Sequence, residues 1–166
     1  MSGTIVLGIG NRLGGDDAAG PCVVDMLNLA LSALSAGRHR AKAPVPTDEI
    51  TATDASTTPE SYTSVVRQRR PDLLILVDAA DMALSPGAVR IIPPERIRTL
   101  AFSTHHIPLS TFISYVKEFC GKVLLVGVQP EQTETGARIS KVARKSARKL
   151  AEVILEGRVA EIPPLE

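Results

Sequence analysis

The stretch Gly8–Gly20, GIGNRLGGDDAAG, joins an apolar run to a glycine-rich turn and two consecutive aspartates ahead of a helical pattern. A strand feeding through such a turn into a helix is the opening βα unit of an α/β domain, and such domains carry their sites at the C-terminal ends of parallel strands. The sign of the charge then narrows the ligand. A turn of this kind usually offers backbone N–H groups and the positive end of a helix to an anion. Asp16 and Asp17 place carboxylates there instead. A phosphate would meet like charge, so the turn suits a cation or a polarised peptide.

The rest of the chain repeats the same alternation. Thr4–Gly10 is apolar on both faces, as a central parallel strand covered by helices must be. Over Ala18–Ser35, residues Val23, Val24, Leu27, Leu31 and Leu34 recur at three- and four-residue spacing and predict an amphipathic helix. Pro21 falls in its first turn, where a missing N–H does no harm. Gly37–Thr47 reads as a basic surface connection. Glu49–Asp54 alternates as a strand, Ala55–Pro59 as a turn, and Glu60–Arg69 as a helix stopped by Pro71. Leu73–Asp78 is a strand of five apolar residues closed by a carboxylate, and Ala88–Ile92 a shorter strand nearer an edge. Pro93–Leu100 has room for a turn of helix before an irregular stretch, Ala101–Ile107. A helical stripe between Pro108 and Gly121, a strand Lys122–Val128, a polar loop Glu131–Arg138 and a helix Ile139–Leu155 complete the chain. This order predicts one three-layer α/β/α domain, residues 1–166, with a mostly parallel sheet of about five strands flanked by helices.

Composition excludes several functions. Formal charge is +1, with 19 basic and 18 acidic residues, so no bulk field favours nucleic acid or a membrane surface. Aromatics are 3% with no Trp, too few for a base-stacking surface. The start of the chain lacks the basic and apolar regions of a signal peptide, and no long uninterrupted apolar run predicts membrane insertion. Cys22 and Cys120 stand far apart and fit neither a redox pair nor a zinc knuckle, consistent with reduced thiols and a cytoplasmic setting. The final helix presents Lys141, Arg144, Lys145, Arg148 and Lys149 on its polar face, which reads first as a solvated surface and second as a contact for an acidic partner.

Three polar residues converge at the C-terminal edge of the expected sheet: Asp17 after the first strand, Asp78 closing Leu73–Val77, and His105 in the loop before the Pro108 helix. Two carboxylates and an imidazole suit Zn²⁺, Ni²⁺, Mn²⁺ or Fe²⁺, and three protein ligands leave coordination positions open. Each has a plainer use. An Asp at a helix start is commonly an N-cap, the role expected here of Asp16, and Asp81 reads as a turn residue. Asp54, closing another strand, is a further polar group at the same edge. Competing templates fail on named residues. Leu13 stands where a dinucleotide fingerprint needs its third glycine, and Asp16 follows Gly15 where a phosphate loop needs lysine. No nucleotide cofactor is expected.

Four blocks are similar to the nickel–iron hydrogenase maturation endopeptidases: Gly8–Asn11 with Gly15–Pro21, Leu74–Asp81, Thr104–Leu109 and Val126–Pro130. The resemblance implies an α/β/α domain that removes the C-terminal peptide of a hydrogenase large-subunit precursor once nickel is installed. It assigns the metal-binding and catalytic roles to Asp17, Asp78 and His105. It also implies that the nickel belongs to the bound precursor rather than to the enzyme. One block departs from the family: Asp54-Ala55-Ser56-Thr57 stands where a glycine pair usually follows the aspartate, which bears on substrate contacts by Asp54.

On this reading the precursor arrives with nickel on its own thiolates, and Asp17, Asp78 and His105 complete the coordination. The scissile peptide is thereby held beside the metal, and the metal or a carboxylate activates water. Two other classes fit the same ligands: a metallo-aminopeptidase-like hydrolase, which would cut short amides unaided, and a non-catalytic nickel-binding assembly module.

Overall fold

The chain's structure, a computed structural model, describes residues 3–37, 49–104 and 106–166. His105, and the basic connection beyond Gly37, lie outside the described residues. Five strands form one sheet: β1 (Thr4–Ile9), β2 (Ile50–Ser56), β3 (Leu73–Ala79), β4 (Val89–Ile91) and β5 (Lys122–Val128). Their order is β2-β1-β3-β5-β4. The first four in that order run parallel, and β4 pairs antiparallel with β5 at the edge.

This order creates the crevice. The chain winds outward from β1 to β2, then crosses back to place β3 on the other side of β1. Connections therefore leave β1 and β3 in opposite directions, and the gap above their C-terminal ends is where α/β sheets admit ligands. Asp17 follows β1 and Asp78 ends β3, so the strand order delivers both to one place.

Side-chain alternation sorts the strands into two cores. Ile5, Leu7, Leu74 and Leu76 face one side with Val66, Leu109, Phe112 and Val116. These last four come from α2 (Thr63–Arg69) and α4 (Leu109–Val116). Val6, Ile75, Val77 and Val126 face the other side with Val23, Leu27, Leu150 and Ile154 of α1 (Ala19–Ser35) and α5 (Lys141–Leu155). A short α3 (Pro94–Ile97) follows β4. Each fully buried Val, Leu or Phe of these faces contributes roughly 1.5–3 kcal/mol. The expected α/β/α layering is present, and the short strand expected over Ala88–Ile92 is β4, Val89–Ile91, at the sheet edge.

Local chemistry explains the element ends. Ser140 caps α5, its hydroxyl accepting from the Ala143 N–H at 3.2 Å. Arg70, left-handed at φ 45°, closes α2 just before Pro71. By length and composition Gly15–Ser35 could cross a membrane, with mean hydropathy 1.4. Within the fold its residues Ala19, Val23, Val24 and Leu27 are buried instead, three of them in the core shared with the sheet and α5.

Candidate active site

The turn after β1 is held by close backbone approaches that only glycine allows. A Cβ on Gly10, at φ 148°, would collide with the Asp17 carbonyl, and one on Gly20 would collide with the Ile9 and Val77 carbonyls. The start of α1 is thus seated directly on the ends of β1 and β3. The Gly10 N–H donates to the Ser56 carbonyl at 2.8 Å, linking the turn to β2.

Asp16 does not cap its own helix, as the sequence suggested. Its side chain turns to the far loop and accepts from the Glu131 N–H at 2.8 Å, the Ser140 N–H at 2.7 Å and the Ser140 hydroxyl at 2.8 Å. The helix start it was expected to cap has no side-chain cap. The reason is energetic. Three donors, two of them on the residue that caps α5, satisfy a fully buried carboxylate better than one N–H of a short turn. The Asp16 N–H and Gln132 carbonyl, 2.8 Å apart, fasten the same two loops.

Asp78 is also fully buried, but its company differs. It lies on the strand face of Leu74 and Leu76, beneath the stretch that precedes α4. Both oxygens are taken by one residue: the Ser103 N–H donates to Oδ2 at 2.9 Å and the Ser103 hydroxyl to Oδ1 at 2.9 Å. Burial pushes its pKa up to about 8, and the Asp17 charge adds to that, against the bonds from Ser103. Asp17, half-buried beside it, is also raised, first by burial and then by Asp16, with the Ser103 hydroxyl pulling the other way. The single hydroxyl proton of Ser103 goes to Asp78, with Asp17 close enough to feel the same hydroxyl. The two carboxylates are under-supplied with positive charge, and a proton on Asp78 or a divalent cation between the two would relieve this.

Asp17 and Ser103 border a cleft of about 650 Å³ lined also by Asn11, Asp81, Gln129 and Glu131, among others, with Asp78 buried behind them. Asp81 is a turn residue, as expected: its carboxylate accepts from the Ala83 N–H at 3.1 Å. That bond, with another from Gln129, holds its pKa below the usual range. Asp54 stands apart from the pair, because β1 separates β2 from β3. It accepts from Arg12 Nε at 2.7 Å and from the Ser56 N–H at 2.8 Å, while Arg12 also binds Asp25. Ser56 keeps a left-handed backbone at φ 51°, and Ala55 packs into the core beside it. Among the described residues no three His, Cys, Asp or Glu side chains form a cluster able to hold a metal, and His105 lies outside that set.

Ser103 is the site residue that sequence reasoning missed. A serine in an irregular stretch carries no signal of its own. Only its position two residues before His105, in a segment that must fold over β3, could have drawn notice.

A doubly wound sheet whose crevice presents carboxylates and no phosphate-binding turn defines an acidic-cleft α/β/α domain, and the comparisons refine that class. The sequence matches the family model HycI, hydrogenase maturation protease, over residues 38–157. The hydrogenase 3 maturation protease of Escherichia coli K12 is 34% identical over 128 residues, 76% of this chain and 72% of that protein. A putative hydrogenase maturation protease of Methanocaldococcus jannaschii is 30% identical over 153 residues, 92% of this chain and 86% of that one. Among solved structures, a hydrogenase 3 maturation protease aligns with a TM-score of 0.79 at 28% identity, covering 99% of this chain and 97% of that one. A [NiFe] hydrogenase maturation protease from Thermococcus kodakarensis aligns at 0.77 and 31% identity, covering 95% and 92%. The chain belongs to the hydrogenase maturation protease family and is a peptidase. Proteases of this family act on hydrogenase large-subunit precursors.

Proposed function

We propose that this protein removes the C-terminal peptide of a nickel-loaded [NiFe] hydrogenase large-subunit precursor, and that Asp17, Asp78 and His105 recognise the nickel. The observation that carries the reading is the pair of carboxylates from the ends of β1 and β3, set around the Ser103 hydroxyl beside an acidic cleft. The nickel is part of the substrate. It arrives on the precursor's own thiolates, displaces the proton from Asp78 and completes its coordination with the second carboxylate and the imidazole.

Binding in this way fixes the scissile peptide next to the two carboxylates, which converts recognition of nickel into positioning of the bond to be cut. Asp17 is the more exposed of the pair and is placed to accept the proton of an attacking water. That water adds to the peptide carbonyl, and the proton then passes to the departing amine as the C–N bond breaks. Asp78, enclosed, serves as ligand only, whereas Asp17 holds the nickel through one oxygen and takes the proton on the other.

Intact-mass spectrometry of nickel-loaded and nickel-free precursor, before and after incubation with the protein, tests the proposal. Shortening of the loaded precursor alone is expected. Equal shortening of both would remove nickel from recognition, and hydrolysis of short amides without any precursor would favour an exopeptidase. Asp17→Ala and His105→Ala should each abolish shortening without unfolding the chain; full activity in either would strike that residue from the site.

A further inference from the structure

The basic face of α5 remains unused by this chemistry. Lys141, Arg144, Lys145, Arg148 and Lys149 are all exposed, and none pairs with an acidic side chain among the described residues. Lys141, Lys145 and Lys149 follow one another at four-residue spacing, as do Arg144 and Arg148. Like charges at that spacing repel across one turn, so the free helix carries a cost that an opposing anion would remove.

Two of these lysines border a groove of about 520 Å³ between α5 and the edge strand β4. Lys145, Lys149 and Arg90 supply its charge, while Val89, Val153 and Ile162 line it with apolar surface. The acid within it, Glu161, is already matched by Arg158 at 3.6 Å. At one end lies Gly87, whose N–H donates to the Gln129 carbonyl at 2.8 Å. Gln129 lines the acidic cleft, so groove and cleft meet at that hydrogen bond. The outer edge of β4 is closed by the chain's own C-terminal segment, with the Leu165 N–H donating to the Ile91 carbonyl at 2.8 Å. An occupant therefore cannot join the sheet and must be held through side chains.

We infer that this groove binds an acidic, extended segment of the precursor polypeptide, and so anchors the substrate while its metal end lies in the cleft. The inference rests on the proposed function for the identity of the partner. Charge complementarity selects an anionic occupant, and the apolar lining suits a polypeptide that alternates acidic and apolar side chains. Duplex nucleic acid would seek a broader basic face.

The test compares the intact protein with Lys145→Glu/Lys149→Glu, which replaces two repulsive pairs of the lysine row by one repulsive and one attractive pair and so should not weaken the helix. The probe is a fluorescein-labelled peptide of alternating glutamate and leucine, read by anisotropy. The charge reversal should weaken binding about tenfold or more, and added salt should weaken the wild type but not the variant. With nickel-loaded precursor, KM should rise about tenfold while kcat stays unchanged. Lys145→Gln/Lys149→Gln should fall between. Wild-type peptide affinity and KM in the reversed variant would overturn the inference, as would duplex DNA displacing the peptide at lower concentration than an unlabelled copy does. Failure of the functional reading looks different: wild-type protein would leave the loaded precursor uncut.

Discussion

Asp16 and Asp78 are equally buried, yet the fold treats them in opposite ways. Asp16 accepts three hydrogen bonds from two residues of a distant loop and is fully employed in joining that loop to the β1 turn. Asp78 receives both of its bonds from Ser103, faces a second carboxylate in Asp17, and has its pKa pushed up to about 8. Burial alone does not separate a carboxylate that serves the framework from one left short of partners. The supply of donors does. Where donors suffice the charge is part of the framework, and where they fall short the site holds stored affinity for a cation or proton.

The largest expected effect breaks the comparison on the functional side. Asp78→Asn keeps the shape and the Ser103 N–H bond but removes the charge that would bind the substrate's metal. Turnover of loaded precursor should fall at least about 100-fold, the scale of losing a catalytic acid–base or ligand group. Comparable turnover in a time course of precursor shortening would mean that Asp78 is framework after all. The same variant should be more stable than the wild type at alkaline pH. The folded pKa of Asp78 lies above the unfolded value near 3.8, so the folded state holds a proton that the unfolded state has released. Stability therefore declines as pH rises from about 4 to about 8, by an amount on the order of a few kcal/mol, and is lowest above that window. Urea midpoints across that range should slope downward more steeply for wild type than for Asp78→Asn. Parallel slopes would contradict the buried, under-supplied carboxylate.

Asp16→Ala attacks the other side. It leaves the Glu131 N–H and both Ser140 donors without their acceptor and should cost about 3 kcal/mol, a drop of roughly 10 °C in thermal midpoint. Because Glu131, Gln132 and Thr133 line the cleft, KM for precursor should rise as that wall loosens, with kcat less affected. A variant as stable as wild type would place Asp16 outside the framework. Ser103→Ala should be milder still in stability, since the backbone N–H bond to Asp78 survives. Ser103→Thr should restore precursor turnover if the hydroxyl, rather than mere bulk, sets the carboxylate.

The two aspartates also show what a sequence reveals and where it stops. The β-strands and amphipathic helices announce themselves through short-range periodicity, and the acidic turn at Asp16-Asp17 is visible as a departure from phosphate-binding turns. Strand order is not, because it depends on which way each crossover turns, and it is strand order that brings Asp17 to Asp78 and sets Asp54 one strand further away. Asp16 looks like a local cap for a related reason: its partners lie 115 and 124 positions along the chain, beyond any local pattern. Ser103 carries no sequence signal because its value comes from a contact across 25 positions with the end of β3.

Asp54 tests the rule at its weak end, where a carboxylate is neither buried nor short of donors. Its partner Arg12 is half-exposed, and an ion pair of that kind contributes about 1 kcal/mol or less. Asp54→Ala should therefore lower stability by about 1 kcal/mol, including the lost bond to the Ser56 N–H, and change kcat little. A marked rise in KM would show that Asp54 also touches substrate. The residue it supports supplies the smallest prediction. Ser56 adopts φ 51°, a left-handed conformation that disfavours a side chain, at a position where glycine would be unstrained. Glycine also gains freedom in the unfolded chain, which cancels part of the benefit. Ser56→Gly should thus raise stability by only about 0.5 kcal/mol, read as a small upward shift of the urea midpoint with unchanged KM. A fall in the midpoint would mean that the serine side chain makes up for its backbone strain, and the replacement of glycine in this loop would then be an adaptation of the turn rather than a tolerated cost.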